Sequence, residues 1–108
     1  MSGPKGEPHL PFLAEVDDTA VGIAWLMVAE RVPGPGQRYR CCGDVQSVYV
    51  IPALRDRGIG AALLAALLAE ARGLGLEHVT VHTNERALPL YLRAGFLHDQ
   101  RWLRWEPD

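Results

Sequence analysis

The residues of this chain best suited to chemistry stand at a junction, Arg55-Asp56-Arg57-Gly58-Ile59-Gly60, between an apolar run and an alanine- and leucine-rich stretch. The order there is strand, tight turn, helix N-terminus. The first turn of a helix has backbone N–H groups with no intrahelical acceptor, and it is the positive end of the macrodipole. Gly58 and Gly60 carry no Cβ, so an anion can approach those amides closely, and Arg55 and Arg57 add positive charge. Pyrophosphate is the natural ligand for such a cradle. The plainer alternative is a glycine-bearing turn that merely begins a helix. The junction is not a P-loop, because no Gly-Lys-Ser/Thr follows. Nor is it the dinucleotide fingerprint, which needs a third glycine and an acidic residue ending the next strand.

The elements that hold this junction can be read from periodicity. Leu10–Val16 and Ala20–Ala29 read as two strands joined at Asp17-Asp18, an antiparallel hairpin with Gly22 as a bulge or a point of close approach. Pro33-Gly34-Pro35-Gly36 must be a loop, and Asp44–Ile51 reads as a third strand ended by Pro52. Ile59–Arg72 predicts a helix with Ile59, Leu63, Ala66, Leu67 and Glu70 on one side, widened by Leu64, Leu68 and Ala71. Gly73 and Gly75 end it. His78–His82 alternates as a strand, Asn84 is placed to cap a helix over Glu85–Arg93, and Gly95 to stop it. A last extended segment would hold Leu103 and Trp105 on one face and Trp102 on the other. Pro89 falls in the first turns of its helix, where a missing N–H costs little. The result is a mixed sheet with helices, α/β or α+β.

The 108 residues suffice for one domain, here residues 9–108 behind a flexible tail at 1–8. A hydrophobic share of 48% with 22% charged residues excludes disorder as the main state. The net charge of −2, with no long Lys/Arg block, gives no footprint for nonspecific nucleic-acid binding. Ile59–Ala71 is well short of the about 20 residues that span a bilayer, and MSGPKGEPHL lacks the apolar centre of a signal peptide. Cys41 and Cys42 are adjacent, a poor geometry for a mutual disulfide, and no third cysteine exists. His9, His78, His82 and His98 lie far from them in sequence. No CxxC spacing occurs, so no metal site is expected. The expectation is a soluble protein of a reducing compartment, the cytoplasm.

Val50-x-Pro52-x-x-Arg55-x-Arg57-Gly58-Ile59-Gly60 resembles the coenzyme A motif of the GNAT superfamily of N-acetyltransferases. A second signature of that superfamily follows in register, Asn84-x-x-Ala87-x-x-x-Tyr91-x-x-x-Gly95-Phe96, one helix and one strand later. The resemblance covers roughly Gly43 to Phe96. It implies a mixed, mostly antiparallel sheet with a splayed central strand pair and two flanking helices. It also implies acetyl-CoA as acyl donor and direct attack of a primary amine on the thioester, without an acyl-enzyme.

Placed residue by residue, the resemblance puts the pyrophosphate on amides of Arg57, Gly58, Gly60 and Ala61, with Arg55 beside them. Backbone groups of Val48 and Val50 would hold the pantetheine and polarise the thioester carbonyl. Asn84 would help hold the cofactor, and Tyr91 would protonate the departing thiolate. A phenol suits that role, being neutral at physiological pH; the plain alternative is a helix tyrosine packed on the sheet.

The general base stays open among Asp44 and Gln46 on one face of the third strand, Tyr49 on the other, His82, and ordered water. Gln46 cannot act as a base. Asp44 also reads as a solvated strand-start residue, and His82 as a structural histidine.

The acceptor, a small-molecule or peptide amine, is not named by the sequence. Members of the superfamily usually begin with a strand and one or two helices before the hairpin, and here only the tail and Pro11-Phe12 precede it. The expectation is therefore a homodimer whose partner copy covers exposed apolar surface through Trp102–Trp105. Two other readings stand beside the enzyme: a module that binds coenzyme A without catalysis, and a fragment that needs a partner.

Overall fold

The computed structural model describes residues 9–31, 40–99 and 103–107. The expected tail at 1–8, the Pro33–Gly36 loop and Trp102 lie outside the described residues. The elements are β1 (His9–Val16), β2 (Thr19–Arg31), β3 (Arg40–Val50), α1 (Ile59–Gly73), β4 (Val79–Val81) and α2 (Leu88–Arg93). A single 3-10 turn, Pro52–Leu54, joins β3 to the junction before α1. The sheet order is β1-β2-β3-β4, antiparallel through the first three strands and parallel between β3 and β4. This is an α+β fold with a mixed sheet of four strands and two helices.

Local chemistry explains the elements. Asp17 and Asp18 take φ of 51° and 64°, the left-handed pair that a two-residue hairpin turn requires and that aspartate tolerates. Gly22 is the expected point of close approach. A Cβ there would stand 3.1 Å from Leu63 Cδ1 and 3.1 Å from the Tyr49 carbonyl oxygen. The good helix formers of α1 end in an overlapping set of C-terminal bonds, Leu76 N to Ala71 O and Gly75 N to Arg72 O, with Gly75 at φ 73°. The core lies between α1 and the sheet: Ala24, Leu26 and Val45 meet Leu63, Leu64, Leu67 and Ala71, and Tyr91 closes it from α2.

A β-bulge in β3 decides what the sheet can do. Gly43 N donates to His78 O at 3.0 Å and Glu77 N to Cys41 O at 2.8 Å, so here the odd-numbered residues turn their main chain toward β4. At the other end Ile51 N donates to Val21 O at 2.9 Å, so the odd-numbered residues face β2 instead. The phase changes because Trp25 pairs with Ser47 and Leu26 with Val45, which leaves Gln46 as the extra residue. Beyond it, the main-chain groups of Val48 and Val50 point to the β4 side. Pairing with β4 spans only Gly43–Val79, Asp44–Thr80 and Val45–Val81. The two strands therefore part where those groups begin.

The bulge also moves side chains between faces. Val45 packs toward α1, and past the bulge Val48 and Val50 do so. Asp44, Gln46, Ser47 and Tyr49 consequently share the opposite face. Tyr49 thus lies with Asp44 and Gln46, not across from them, because the extra residue breaks the period-two alternation.

Other expectations shift in smaller ways. Cys41 and Cys42 sit within β3 rather than before it, since the strand begins at Arg40. α2 starts at Leu88, after a turn at Glu85–Ala87, so the helix is six residues long. On α1 the buried stripe is Leu63, Leu64, Leu67 and Ala71; Ala66 and Glu70 fall on its shoulder and are exposed. Residues 103–107 form no strand, and Leu103 and Trp105 are 90% and 82% exposed. No described helix is long and apolar enough to cross a membrane.

Candidate active site

The junction before α1 folds as the sequence suggests, with one difference in which amides it offers. Gly58 is the N-cap, at φ 82° and ψ 4°, a left-handed conformation that costs an L-residue with a Cβ about 1–2 kcal/mol. No side chain caps this end. The first intrahelical bond runs from Ala62 N to Gly58 O at 3.0 Å, so the amides of Ile59, Gly60 and Ala61 precede the ladder. Ile59 therefore joins the amides expected at Arg57, Gly58, Gly60 and Ala61. Its residue type gives no sign of this, because its side chain belongs to the core; the signal is the position of its amide, counted from the cap. Gly58 is required by its φ alone, since a Cβ there would meet nothing within 4 Å.

Arg55 and Arg57 are both exposed at this turn. Arg55 Nε donates to the Val50 carbonyl at 2.9 Å, and its guanidinium lies 5.5 Å from the centre of the Tyr49 ring. The Val50 carbonyl, one of the groups aimed into the splay, is thus already engaged by Arg55. The Val50 amide and both main-chain groups of Val48 remain directed to that side. A Cβ on Gly60 would be 4.0 Å from Val48 Cγ1, 4.0 Å from Val50 Cγ2 and 3.8 Å from Leu90 Cδ2. The helix start, the bulged strand and α2 therefore converge at Gly60. From Ala61 a shallow cleft of about 260 Å³ runs between the helices, lined by Ala65, Leu68, Leu90, Arg93 and Ala94.

Tyr91 is 6% exposed and meets the Phe96 ring edge to face, with centroids 5.5 Å apart. Burial raises its phenol above the ordinary value of 10.0, which favours the neutral, proton-bearing form. Asn84 Oδ1 accepts from Ala87 N at 2.8 Å and shapes the turn into α2. Asn84 and Arg57 are not drawn into contact with the Val48–Gly60–Leu90 meeting point by any bond among the described residues.

On the opposite face, Asp44 accepts from Gln46 Nε2 with one carboxylate oxygen and from Thr80 Oγ1 with the other. Thr80 is its register partner on β4, so this bridge joins the two strands just before they part. Of the base candidates, Asp44 is thereby fixed at the splay. Tyr49 stands farther along the same face under Arg55, and His82 is exposed past the end of β4, with Nε2 3.5 Å from Arg104 Nη1.

The profile of the Acetyltransferase (GNAT) family matches residues 4–96. The chain is 33% identical over 84 residues to glucosamine 6-phosphate N-acetyltransferase of Trypanosoma brucei brucei, covering 78% of this chain and 55% of that one. It is 39% identical over 111 residues to mycothiol acetyltransferase of Thermobispora bispora, covering 97% and 34%. The chain thus spans about half and about a third of these curated relatives. A solved predicted acetyltransferase with acetyl-CoA from Clostridium acetobutylicum superposes with a TM-score of 0.80 at 20% identity, covering 93% of this chain and 65% of that one. At that identity the likeness is one of fold. The splayed β3–β4 pair, the glycine-capped α1 and the match over most of the chain agree, and the chain belongs to the GNAT acetyltransferase family.

Proposed function

We propose that the chain is an acetyl-CoA-dependent N-acetyltransferase acting on a small-molecule primary amine. The observation that carries this reading is the bulge at Gln46, which turns Val48 and Val50 into the gap that opens after Val45–Val81. That gap ends at the uncapped amides of α1. The residues fit the donor: amides for its pyrophosphate, a strand edge for its pantetheine amides, and an apolar cleft between α1 and α2. Acetyl-CoA supplies the acyl group as a thioester open to attack by a neutral amine.

The amides of Gly58, Ile59, Gly60 and Ala61 hold the phosphates through hydrogen bonds and the helix dipole, with Arg57 adding charge. Arg55 braces the strand through Val50, and the Val48 and Val50 edge orients the donor and polarises the acyl carbonyl. Asn84 offers its amide NH2 to the donor while its oxygen holds the turn. Tyr91, kept neutral by burial, gives its proton to the departing thiolate. Asp44, held by Thr80 and Gln46, receives the acceptor's ammonium at the splay and takes its proton through water.

The names of the relatives, glucosamine 6-phosphate and mycothiol acetyltransferases, support a small amine as acceptor. The free cysteines suit a reducing compartment, and we place the protein in the cytoplasm. The homodimer also stands as a proposal, supported by the exposure of Leu97, Leu103 and Trp105. The decisive experiment offers acetyl-CoA and a panel of amines to the full chain and follows thiol release and acetylated product by mass spectrometry. Turnover with an amine supports the enzyme. Calorimetric binding of coenzyme A without turnover favours the catalytically inactive module, and absence of binding overturns both.

A further inference from the structure

At the closed end of the β3–β4 pair, on the face that carries Asp44, three side chains of different chemistry meet. Cys42 Sγ is 3.9 Å from His78 Nδ1 and 4.0 Å from Glu77 Oε1, and all three ligand atoms lie within 4.8 Å of one another. Cys42 and His78 are half-buried, and Glu77 is exposed. We propose that Cys42, His78 and Glu77 form a zinc site that staples β4 to β3, beside Asp44 and away from the main-chain groups that would hold the acyl donor.

Distance and chemistry both carry this. A tetrahedral ion with bonds of about 2.3 Å to sulfur and about 2.0 Å to nitrogen or oxygen separates sulfur from either of the others by about 3.5 Å, and nitrogen from oxygen by about 3.3 Å. The two spacings to sulfur exceed the former by a few tenths of an ångström, within the reach of side-chain rotation. Thiolate, imidazole and carboxylate together are ligands that zinc accepts, with the fourth position left to water. The backbone is already set for it. Gly43 N to His78 O and Glu77 N to Cys41 O fix both ligand-bearing segments in register, one hydrogen bond on each side. Binding replaces the S–H bond of Cys42 with an S–Zn bond and releases the proton to solvent. β4 pairs with β3 through only three residue pairs, so a metal bridge at its start adds a second tie.

Cys42 lies three residues before the last β3–β4 pair and about 15–20 Å along the strand from Val48, where the groups that would hold the acyl donor begin. Cys41, next in sequence, turns to the other face of the strand, toward α1, and serves as the internal control.

The full chain, stripped with a chelator, is titrated with zinc(II) by calorimetry and with cobalt(II) by absorption. The expected result is one equivalent per chain, a thiolate-to-cobalt charge-transfer band, and a higher melting temperature with zinc. Zinc should also shield Cys42, and not Cys41, from alkylation as read by peptide mass spectrometry. Cys42→Ser and His78→Ala abolish the cobalt band, Glu77→Gln weakens binding by about tenfold or more, and Cys41→Ser leaves the band intact. If Cys42→Ser fails to fold, His78→Ala and the alkylation pattern carry the test. No charge-transfer band at one equivalent, or a band that depends on Cys41 instead of Cys42, overturns the proposal.

Discussion

Replacing Tyr91 by phenylalanine separates packing from chemistry. The ring sits in the core with Val45, Leu64 and Leu67 and stacks edge to face on Phe96, and phenylalanine keeps all of that apolar surface. The folded state should change by about 1 kcal/mol or less, the net worth of one hydroxyl's hydrogen bonding. Tyr91→Ala, which empties the same volume, should cost about 3–5 kcal/mol. If Tyr91 is the acid, the phenylalanine variant loses about 10²–10⁴-fold in kcat, or about 2.7–5.4 kcal/mol of barrier, and binds coenzyme A as before. Thiol release with a competent amine reads the first quantity, and calorimetry with coenzyme A the second. The pH profile adds an independent check. Burial raises the phenol above 10.0, so the acid stays protonated past the pH at which an exposed tyrosine ionises. The alkaline limb due to Tyr91 then lies above pH 10 and disappears in the variant. An unaltered kcat in a variant that folds and binds coenzyme A would show that Tyr91 is a packing residue only.

Further expectations rest on other observations. Stability should fall as pH rises from about 10, because the unfolded chain then releases the Tyr91 proton while the folded chain, with its raised value, still holds it; melting curves of wild type and Tyr91→Phe across this range test the sign. Gly58→Ala meets no atom within 4 Å, so only backbone strain is at stake, about 1–2 kcal/mol of stability, seen as a lower melting temperature together with weaker coenzyme A binding. Gly22→Ala is the contrasting case. Its Cβ would press on Leu63 and on the fixed Tyr49 carbonyl, and it should cost about 1–3 kcal/mol by overpacking in denaturant unfolding. Light scattering at tens of micromolar should find a dimer, and a monomer alone would remove the homodimer proposal.

The site was legible in the sequence to the degree that it is built from local backbone. Gly58 and Gly60 after a strand and before an alanine-rich run specify a helix start whose amides are open, whatever the rest of the chain does. Asp17-Asp18 specifies its turn in the same way. Tyr91, seven residues after Asn84 and four before Gly95, is placed by helix geometry. The bulge at Gln46 leaves only a partial mark in the sequence: the adjacent polar pair Gln46-Ser47 sets Val45 and Val48 three apart instead of two, but does not say which of the pair will be left unpaired. That choice is made by the partner strand, through the register of Trp25 and Leu26 against Val45 and Ser47. Tyr49 changed faces for this reason.

The sequence by itself therefore determined a glycine-bearing strand-to-helix turn, the helices around it and a family. Tertiary structure decided which main-chain groups face the gap, that Arg55 holds the Val50 carbonyl, and that Asp44 is clamped by Thr80. It also brought Cys42 beside His78 across 36 positions, a separation along the chain that gives no reason to expect shared metal ligands. The physical reason is common to all four. Local conformation follows from neighbouring residues, whereas the phase of a strand and the company of its side chains are set only when distant segments pair.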